Sequence, residues 1–375
     1  MRIKNARLYP TAFLYGKTST REWFMSFLVK ATFRMDTRGA PASAAAKQLP
    51  ILTADVPYDP KKPEGLLRLE SDLVPFKPRA DIVLVGSAYA PRGQLTKALD
   101  VEIQVGQTQR VIRVMGDRMW SFPEREQHAP ICVGPSEFSE MPLTYERAFG
   151  GIDRHAGMDP QLPRFRPWCV HNYAGTGFIG ALRVESIHRT RLPNLEDPQN
   201  PIQNVASHPP PIGCGFFPRG NEPRSTYAGT YDERWQAERA PELPEDFQFD
   251  YFNGAHPYLQ VEGHLAGNEP VRLTNVSKTH PVFAFQLPGI RPVFSVSRRP
   301  WPSDTPAPDM AAPLTVGQVI PRLDTLLFLP DDSLFCLVWR GLIPIRDPAA
   351  LEVAEVRVEY EALGARVSAE WIGRA

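Results

Sequence analysis

The chain has 375 residues, with 42 basic and 42 acidic side chains, 40 prolines and only 4 cysteines. The prolines exclude long helical bundles, because a proline inside a helix costs about 3 kcal/mol. A formal net charge of zero argues against a broad electrostatic surface for nucleic acid or for an anionic membrane. The length suits one large domain or two ordinary ones. We treat residues 1–375 as one large β-rich domain with three sub-regions, and whether its two β-rich ends form one sheet system or two domains stays open.

The first sub-region, residues 1–120, has the pattern of β-strands. In residues 23–35 every odd position is apolar and most even positions are polar, which predicts a half-buried strand. Residues 81–90 form a nearly continuous apolar run between two prolines, which predicts a strand buried on both faces. Residues 101–115 indicate a hairpin with Gly106 at its turn.

The middle sub-region, residues 121–257, is rich in proline, glycine and aromatic residues and shows little periodicity. The best helix candidate is residues 230–239, with Thr230 as the N-cap and prolines after its end. The aromatic content favours ordered packing over disorder. We therefore expect a long, irregular but folded region with few short helices.

The last sub-region, residues 258–365, returns to strands. Its pattern predicts a hairpin over 258–276, a buried strand over 281–287 and a proline-rich loop over 299–313. Two further strands flank a turn at 330–333, and residues 356–361 alternate as an amphipathic strand. Together the three sub-regions predict a mainly β fold, an antiparallel sandwich or a distorted barrel.

The cysteines lie far apart and form no CxxC pair, which favours free thiols, although one or two disulfides stay open. No apolar run reaches the length of a membrane span, and the first 20 residues lack the pattern of a signal peptide. These features predict a cytoplasmic protein that binds neither membrane nor nucleic acid.

Several short motifs imitate sites for cofactors. Residues 175–180 fit G-x-G-x-x-G, but proline-rich sequence precedes them and no βαβ unit surrounds them. Residues 15–18 resemble the end of a P-loop whose first glycine is missing. Cys169 with His171, and His256 with His264, are too sparse for a zinc site. We expect no metal, no cofactor and no enzymatic activity, because no catalytic motif occurs.

Three segments combine charges with aromatic residues, around 141–153, 227–239 and 338–341. Such segments suit either a recognition surface or an internal polar network that fixes irregular backbone. Our candidates for partner contact are Tyr145, Arg147, Tyr231 and Trp235. Our candidates for the structural network are Glu146, Phe149, Gly150, Gly151, Asp153, Asp232, Arg239, Trp339 and Arg340.

The same segments carry a resemblance to a bacterial family long catalogued as a domain of unknown function. Its members act as adaptor–chaperones for effectors of type VI secretion. The matching stretches are residues 29–33, 48–51, 55–58, 71–78, 90–93, 116–120, 142–151, 193–196, 228–232, 243–247, 287–289 and 339–341. They cover roughly residues 25–345.

The resemblance implies a cytoplasmic protein that binds a toxin effector before secretion. Such a protein would help load the effector onto the VgrG spike or a PAAR-type tip. Two alternatives stay open: a hydrolase with a cleft in the middle region, and a structural subunit of the secretion apparatus. For an adaptor, we expect the partner to use an exposed strand edge or a groove beside the irregular middle.

Overall fold

The computed structural model describes residues 2–7, 9–122, 129–153, 167–180, 182, 184–298, 317–346 and 354–363. Strands dominate these residues, so the predicted mainly β fold is confirmed. In chain order the strands are β1 (Arg2–Asn5), β2 (Thr11–Lys17), β3 (Trp23–Arg34), β4 (Val56–Pro57), β5 (Leu67–Leu69), β6 (Ala80–Leu84), β7 (Ser87–Tyr89), β8 (Ala98–Val105), β9 (Thr108–Met115), β10 (Met119–Ser121), β11 (Ile131–Val133), β12 (Glu140–Pro142), β13 (Phe149–Gly150), β14 (Thr176–Gly177), β15 (Leu195–Glu196), β16 (Gln260–Val261), β17 (Pro270–Thr274), β18 (Val282–Gln286), β19 (Ile290–Arg298), β20 (Gly317–Val319), β21 (Arg322–Leu329), β22 (Leu334–Pro344) and β23 (Ala354–Ala362).

Helices are short in the described part of the chain. The α-helices are α1 (Val184–Ile187) and α2 (Glu233–Glu238), and neither is long and apolar enough to cross a membrane. The helix predicted at 230–239 is therefore present, but Asp232 rather than Thr230 caps it by accepting the N–H of Trp235 at 2.7 Å. The 3-10 turns are Pro91–Gly93, Tyr145–Arg147, Arg224–Tyr227, Phe249–Phe252, Pro257–Leu259 and Pro330–Asp332.

Three larger sheets organise the described strands. A six-stranded sheet has the order β16-β6-β21-β22-β3-β2 and is antiparallel except between β6 and β21. A five-stranded antiparallel sheet has the order β15-β9-β8-β17-β18, and a four-stranded sheet has the order β1-β23-β19-β20. The described strands close no barrel, so of the two predicted architectures the structure is the sandwich.

One face of the six-stranded sheet packs against both smaller sheets. The ring of Phe335 in β22 stacks on Phe285 in β18, with centroids 5.1 Å apart. The ring of Phe27 in β3 meets Phe294 in β19 at 5.9 Å. Gly341 lies opposite Phe294, and a Cβ there would be only 3.2 Å from that ring. Alternating aromatic and β-branched residues on these strands thus build a continuous core between the sheets.

The opposite face of the six-stranded sheet carries buried charges. The prediction that β3 is half-buried was wrong, since Lys30 is only 3% exposed and Ser26 and Thr32 are buried as well. Irregular segments cover this face, and Gln48 donates to the carbonyl of Thr32 at 3.0 Å. Each buried cation has a carboxylate at 2.7 Å: Lys30 with Asp72, Lys77 with Asp81, and Arg340 with Asp324. The pairing allows charged residues to be buried here.

Among the other strand predictions, the hairpins with short turns are confirmed and the hairpin at 258–276 is not. The hairpin of β8 and β9, with Gly106 at a φ of +56°, is confirmed, and so is the hairpin of β21 and β22. The apolar run at 81–90 contains β6 and β7, both mostly buried, and β23 alternates as predicted. The predicted hairpin at 258–276 was wrong, because β16 pairs with β6 while β17 pairs with β8 and β18. The loop predicted at 299–313 lies outside the described residues.

Candidate functional site

The irregular middle is held together by two segments that bond to each other. Asn172 links them, because its side-chain amide donates to the carbonyls of Tyr145 at 2.8 Å and Phe149 at 3.1 Å. Backbone bonds add to this link, from Gly151 N to the carbonyl of Asn172 and from Phe178 N to the carbonyl of Gly150, both at 2.8 Å. The strand pair β13–β14 forms at this junction. The described part of this region therefore has ordered packing, as its aromatic content predicts.

Two glycines are required at this junction. Gly150 has a φ of +149° and Gly151 a φ of +97°, a backbone region that favours glycine. A Cβ at Gly150 would overlap the carbonyl oxygen of Asn172, and a Cβ at Gly151 would overlap that of Gly175. The glycines of the 175–180 motif serve the same junction rather than a nucleotide-binding turn, and the helix that follows is the four-residue α1.

Beside this junction lies an apolar cleft, which we call the aromatic–proline cleft. It has a volume of about 510 Å³ and opens between segments from the middle and from the start of the last sub-region. Trp168, Val170 and Tyr258 on its walls are 38%, 41% and 59% exposed, so three large apolar side chains meet solvent in one place. Its apolar walls are formed by Phe149, Trp168, Val170, Phe178, Phe217, Tyr258 and the prolines 209–211.

A stack of three side chains fixes one wall of the cleft. The ring of Tyr258 stacks on the ring of His256, with centroids 5.2 Å apart, and the guanidinium of Arg110 lies 4.5 Å from the centroid of the Tyr258 ring. Nε2 of His256 is 3.0 Å from the carbonyl of Pro211, while its Nδ1 accepts the N–H of Tyr258 at 3.3 Å. These partners suit the neutral ring with its proton on Nε2. Burial lowers the pKa of His256 to about 4, so this ring stays neutral at physiological pH.

The remaining polar groups of the cleft do not form a bonded acid–base pair in the described residues. Nδ1 of His171 is 4.0 Å from Oε2 of Glu222, beyond hydrogen-bond distance. His208 packs against the rings of Phe149 and Phe178. Across the described ranges, no group of three or more His, Cys, Asp or Glu side chains is placed to hold a metal ion. All four cysteines are free thiols, and Cys169 lines this cleft.

The predicted contact residues do not meet at one surface. Tyr145 is only 2% exposed and packs on Phe217, so its prediction as a contact residue is corrected: hydrophobic packing buries it. Burial raises the pKa of its phenol well above the usual 10. Arg147 is half-buried and donates to Asn194 at 2.8 Å. Tyr231 is 55% exposed and contacts Trp235 at 4.7 Å, at the α2 corner of the molecule.

The predicted network residues divide among three places. Phe149, Gly150, Gly151 and Asp153 belong to the junction, where Asp153 accepts the N–H of Gly180 at 2.9 Å. The side chain of Glu146 is exposed, because only its backbone carbonyl bonds into the junction, and this corrects the prediction for that residue.

At the α2 corner, Asp232 caps the helix and Arg239 donates to the carbonyls of Leu243 and Ser19. Here a second, charged cleft of about 460 Å³ is lined by Asp232, Trp235 and Arg239 among others. Trp339 and Arg340 lie in β22, and Arg340 donates to the carbonyls of Asp72 at 2.9 Å and Val74 at 2.8 Å. Arg340 thereby fixes irregular backbone, whereas Trp339 packs in the sandwich core.

The sequence pattern does not indicate the residues that organise the cleft. Asn172 belongs to none of the predicted motifs, and His256 enters the predictions only as a sparse metal ligand. One signal was available, the three successive prolines at 209–211 within a segment rich in aromatic residues. That signal predicts a rigid apolar wall, but it does not say which distant segments face it.

The fold and the cleft define a mainly β protein whose irregular middle builds an apolar recess from segments between residues 149 and 258. The chain belongs to the bacterial family described as "uncharacterized protein conserved in bacteria (DUF2169)", whose family model matches residues 20–340. Comparison with curated proteins and with solved structures finds no match. The aromatic–proline cleft lies entirely within the matched residues.

Proposed function

We propose that this protein is an adaptor–chaperone of type VI secretion, which binds a toxin effector in the cytoplasm and helps load it onto the VgrG spike or a PAAR-type tip. The observation that carries the proposal is the aromatic–proline cleft. Its walls expose large apolar side chains beside prolines, which is the composition of a site that receives apolar segments of another protein. The second support is the resemblance of the matching stretches to adaptor–chaperones of type VI secretion.

Chaperoning at such a site acts by mass action. A protein that binds only the folded or assembly-competent state of an effector raises the population of that state. The neutral His256 and the preformed Arg110–Tyr258 stack support this role, because side chains that are already fixed in place lose little entropy when a partner binds. The chain would release its partner at the spike and need not be secreted with it.

The test is co-expression of the chain with the effector and spike proteins encoded beside it, followed by size-exclusion chromatography. We expect a stable complex with the wild-type chain. Val170→Glu places a charge in the apolar cleft and should weaken the complex about tenfold or more. Val184→Glu is the matched control, because Val184 is 58% exposed and lies outside the cleft lining.

Two results would contradict the proposal. One is the absence of a complex with any neighbouring effector or spike protein. The other is an equal effect of the two glutamate substitutions, since a cleft-independent loss would place binding elsewhere. The same assay tests alanine substitutions at Arg147, Tyr231 and Trp235, which stay predictions for contact outside the cleft.

The two alternatives predict different outcomes. A hydrolase predicts turnover that depends on the histidines or on Glu222 of the cleft, and His171→Ala is the variant to assay. A structural subunit predicts that the chain is incorporated stoichiometrically into secreted particles, whereas an adaptor stays in the producing cell.

A further inference from the structure

The sandwich leaves one long strand edge uncovered. β2 is the last strand of the six-stranded sheet and pairs with β3 on one side only. Across the described ranges, no strand pairs with its other side. By contrast, β18 at the edge of the five-stranded sheet is covered by residues 36–42. These residues form backbone hydrogen bonds with β18, such as the one from Gly39 N to the carbonyl of Ala284 at 2.8 Å. Among the described residues, one sheet edge is therefore covered by backbone bonds and the edge at β2 is open.

The direction of the free backbone groups on β2 follows from one bond. The carbonyl of Pro10 accepts the N–H of Lys30 in β3 at 3.0 Å. Since N–H and C=O groups alternate in direction along a strand, the even-numbered residues bond to β3 and the odd-numbered ones face outward. The outward-facing groups belong to Thr11, Phe13, Tyr15 and Lys17.

This edge has few of the features that prevent edge-to-edge pairing. Natural edge strands carry prolines, bulges or charged side chains, lysine above all, that prevent pairing with another strand. β2 contains no proline, and its register with β3 runs without a bulge from Thr11 to Lys17. Its one charge, Lys17, is neutralised by Glu242 at 2.6 Å. Phe13 and Tyr15 are 39% and 53% exposed on the strand, so apolar surface accompanies the free backbone.

We propose that β2 pairs antiparallel with β2 of a second copy of this chain, which joins two six-stranded sheets across a two-fold axis. The strand is complementary to itself when the axis passes through its central residue, Leu14. Thr11 then lies opposite Lys17 of the second copy and Phe13 opposite its Tyr15. All four residues are outward-facing, so each opposed pair exchanges two N–H···O bonds.

The side chains favour this register over shifted ones. It overlaps the full strand, and it places an aromatic ring opposite an aromatic ring on the same face, a stabilising cross-strand pair. No like charges are opposed, because Lys17 faces Thr11. The zero net charge of the chain adds no long-range repulsion between copies. β2 precedes the family-matched residues 20–340, so this inference does not depend on the family or on the proposed function.

Light scattering after size exclusion, over a range of concentrations, gives the first readout. The molar mass should rise from 42.1 kDa toward twice that value as concentration increases. Tyr15→Pro removes an outward N–H that β3 does not use, and proline is tolerated at such edge positions. Tyr15→Val keeps the N–H but also lacks the ring. Two lost backbone bonds per dimer should make the proline variant about thirtyfold weaker than the valine variant.

Disulfide trapping tests the register. In a Cys132→Ser background, which removes the exposed native thiol, Leu14→Cys should form a covalent dimer on mild oxidation. The two-fold axis puts residue 14 opposite itself, with Cα atoms about 4.5 Å apart, a distance that a disulfide spans. Ala12→Cys is the matched control, because Ala12 lies opposite Gly16 of the second copy. We expect about tenfold more cross-linked dimer from Leu14→Cys.

Three outcomes would overturn the proposal. The first is a wild-type chain that stays at 42.1 kDa at the highest concentration reached. The second is equal dimerisation of the proline and valine variants when both retain the wild-type melting temperature, since the dimer would then use another surface. The third is equal cross-linking of the two cysteine variants. Effector binding is measured separately, so failure here leaves the adaptor proposal standing.

Discussion

The buried pair of Arg340 and Asp324 gives the sharpest stability test of the fold. Both side chains are 2% exposed and lie 2.7 Å apart, and Arg340 also donates to the carbonyls of Asp72 and Val74. Arg340→Met keeps the apolar volume but leaves Asp324 buried without a counter-charge. Breaking a buried pair in this way costs about 3–5 kcal/mol, and the two carbonyls lose a charged donor as well. We expect a total loss of about 4–6 kcal/mol, a large part of the usual 5–15 kcal/mol.

The assay is urea unfolding followed by tryptophan fluorescence and circular dichroism. A second variant, Arg340→Met with Asp324→Asn, removes the orphaned charge and should recover about 2 kcal/mol, because a neutral amide is cheaper to bury than a carboxylate. A loss below about 1 kcal/mol for the single variant would refute the reasoning. So would a double variant less stable than the single one.

Three further predictions concern the junction and the cleft. Gly150→Ala should destabilise the chain by about 3 kcal/mol or more in urea unfolding, because its Cβ meets backbone, whereas Gly39→Ala, with nothing within 4 Å, should cost about 1 kcal/mol. Tyr145→Phe should leave stability unchanged or slightly raised, because the buried hydroxyl has no hydrogen-bond partner among the described residues. His256 should make stability fall by up to about 3 kcal/mol as pH decreases from 6.5 to about 4, since the unfolded ring takes up a proton first. His256→Gln should flatten that part of the pH profile.

Local patterns predicted the strands and turns whose signal lies entirely in neighbouring residues. The alternation of β23 and the turns of the β8–β9 and β21–β22 hairpins depend only on neighbouring residues, so they could be read from the chain. The burial of Lys30 could not, because its partner Asp72 lies on a separate irregular segment. The helix cap failed for a smaller reason. Thr230 and Asp232 are both good N-cap residues. Thr230 does not cap the helix because its N–H and its hydroxyl donate to the carboxylate of Asp246, a residue 16 positions further along the chain.

The candidate site was harder to predict than the fold. Its walls come from separate segments between residues 149 and 258, and proximity among them depends on the junction around Asn172. Composition indicated that the middle is ordered, but not that Tyr145 faces inward while Trp168 and Tyr258 line a recess. A turn motif such as Phe149-Gly150-Gly151 shows that the backbone bends, but the partner carbonyls that require glycine lie on a distant segment.

The pairing of β3 with β22 has a consequence for how the chain is made. Thr32 and Cys336 face each other across this pair although 304 positions separate them in the sequence. A ribosome releases the N-terminal strands long before the C-terminal ones. The aromatic residues of β3 therefore lack their partner strand β22 until nearly the whole polypeptide has been synthesised. Contacts of such long range slow folding. A truncation before β21 should therefore yield an aggregating fragment rather than a smaller domain, and the native sheet forms only after synthesis is nearly complete.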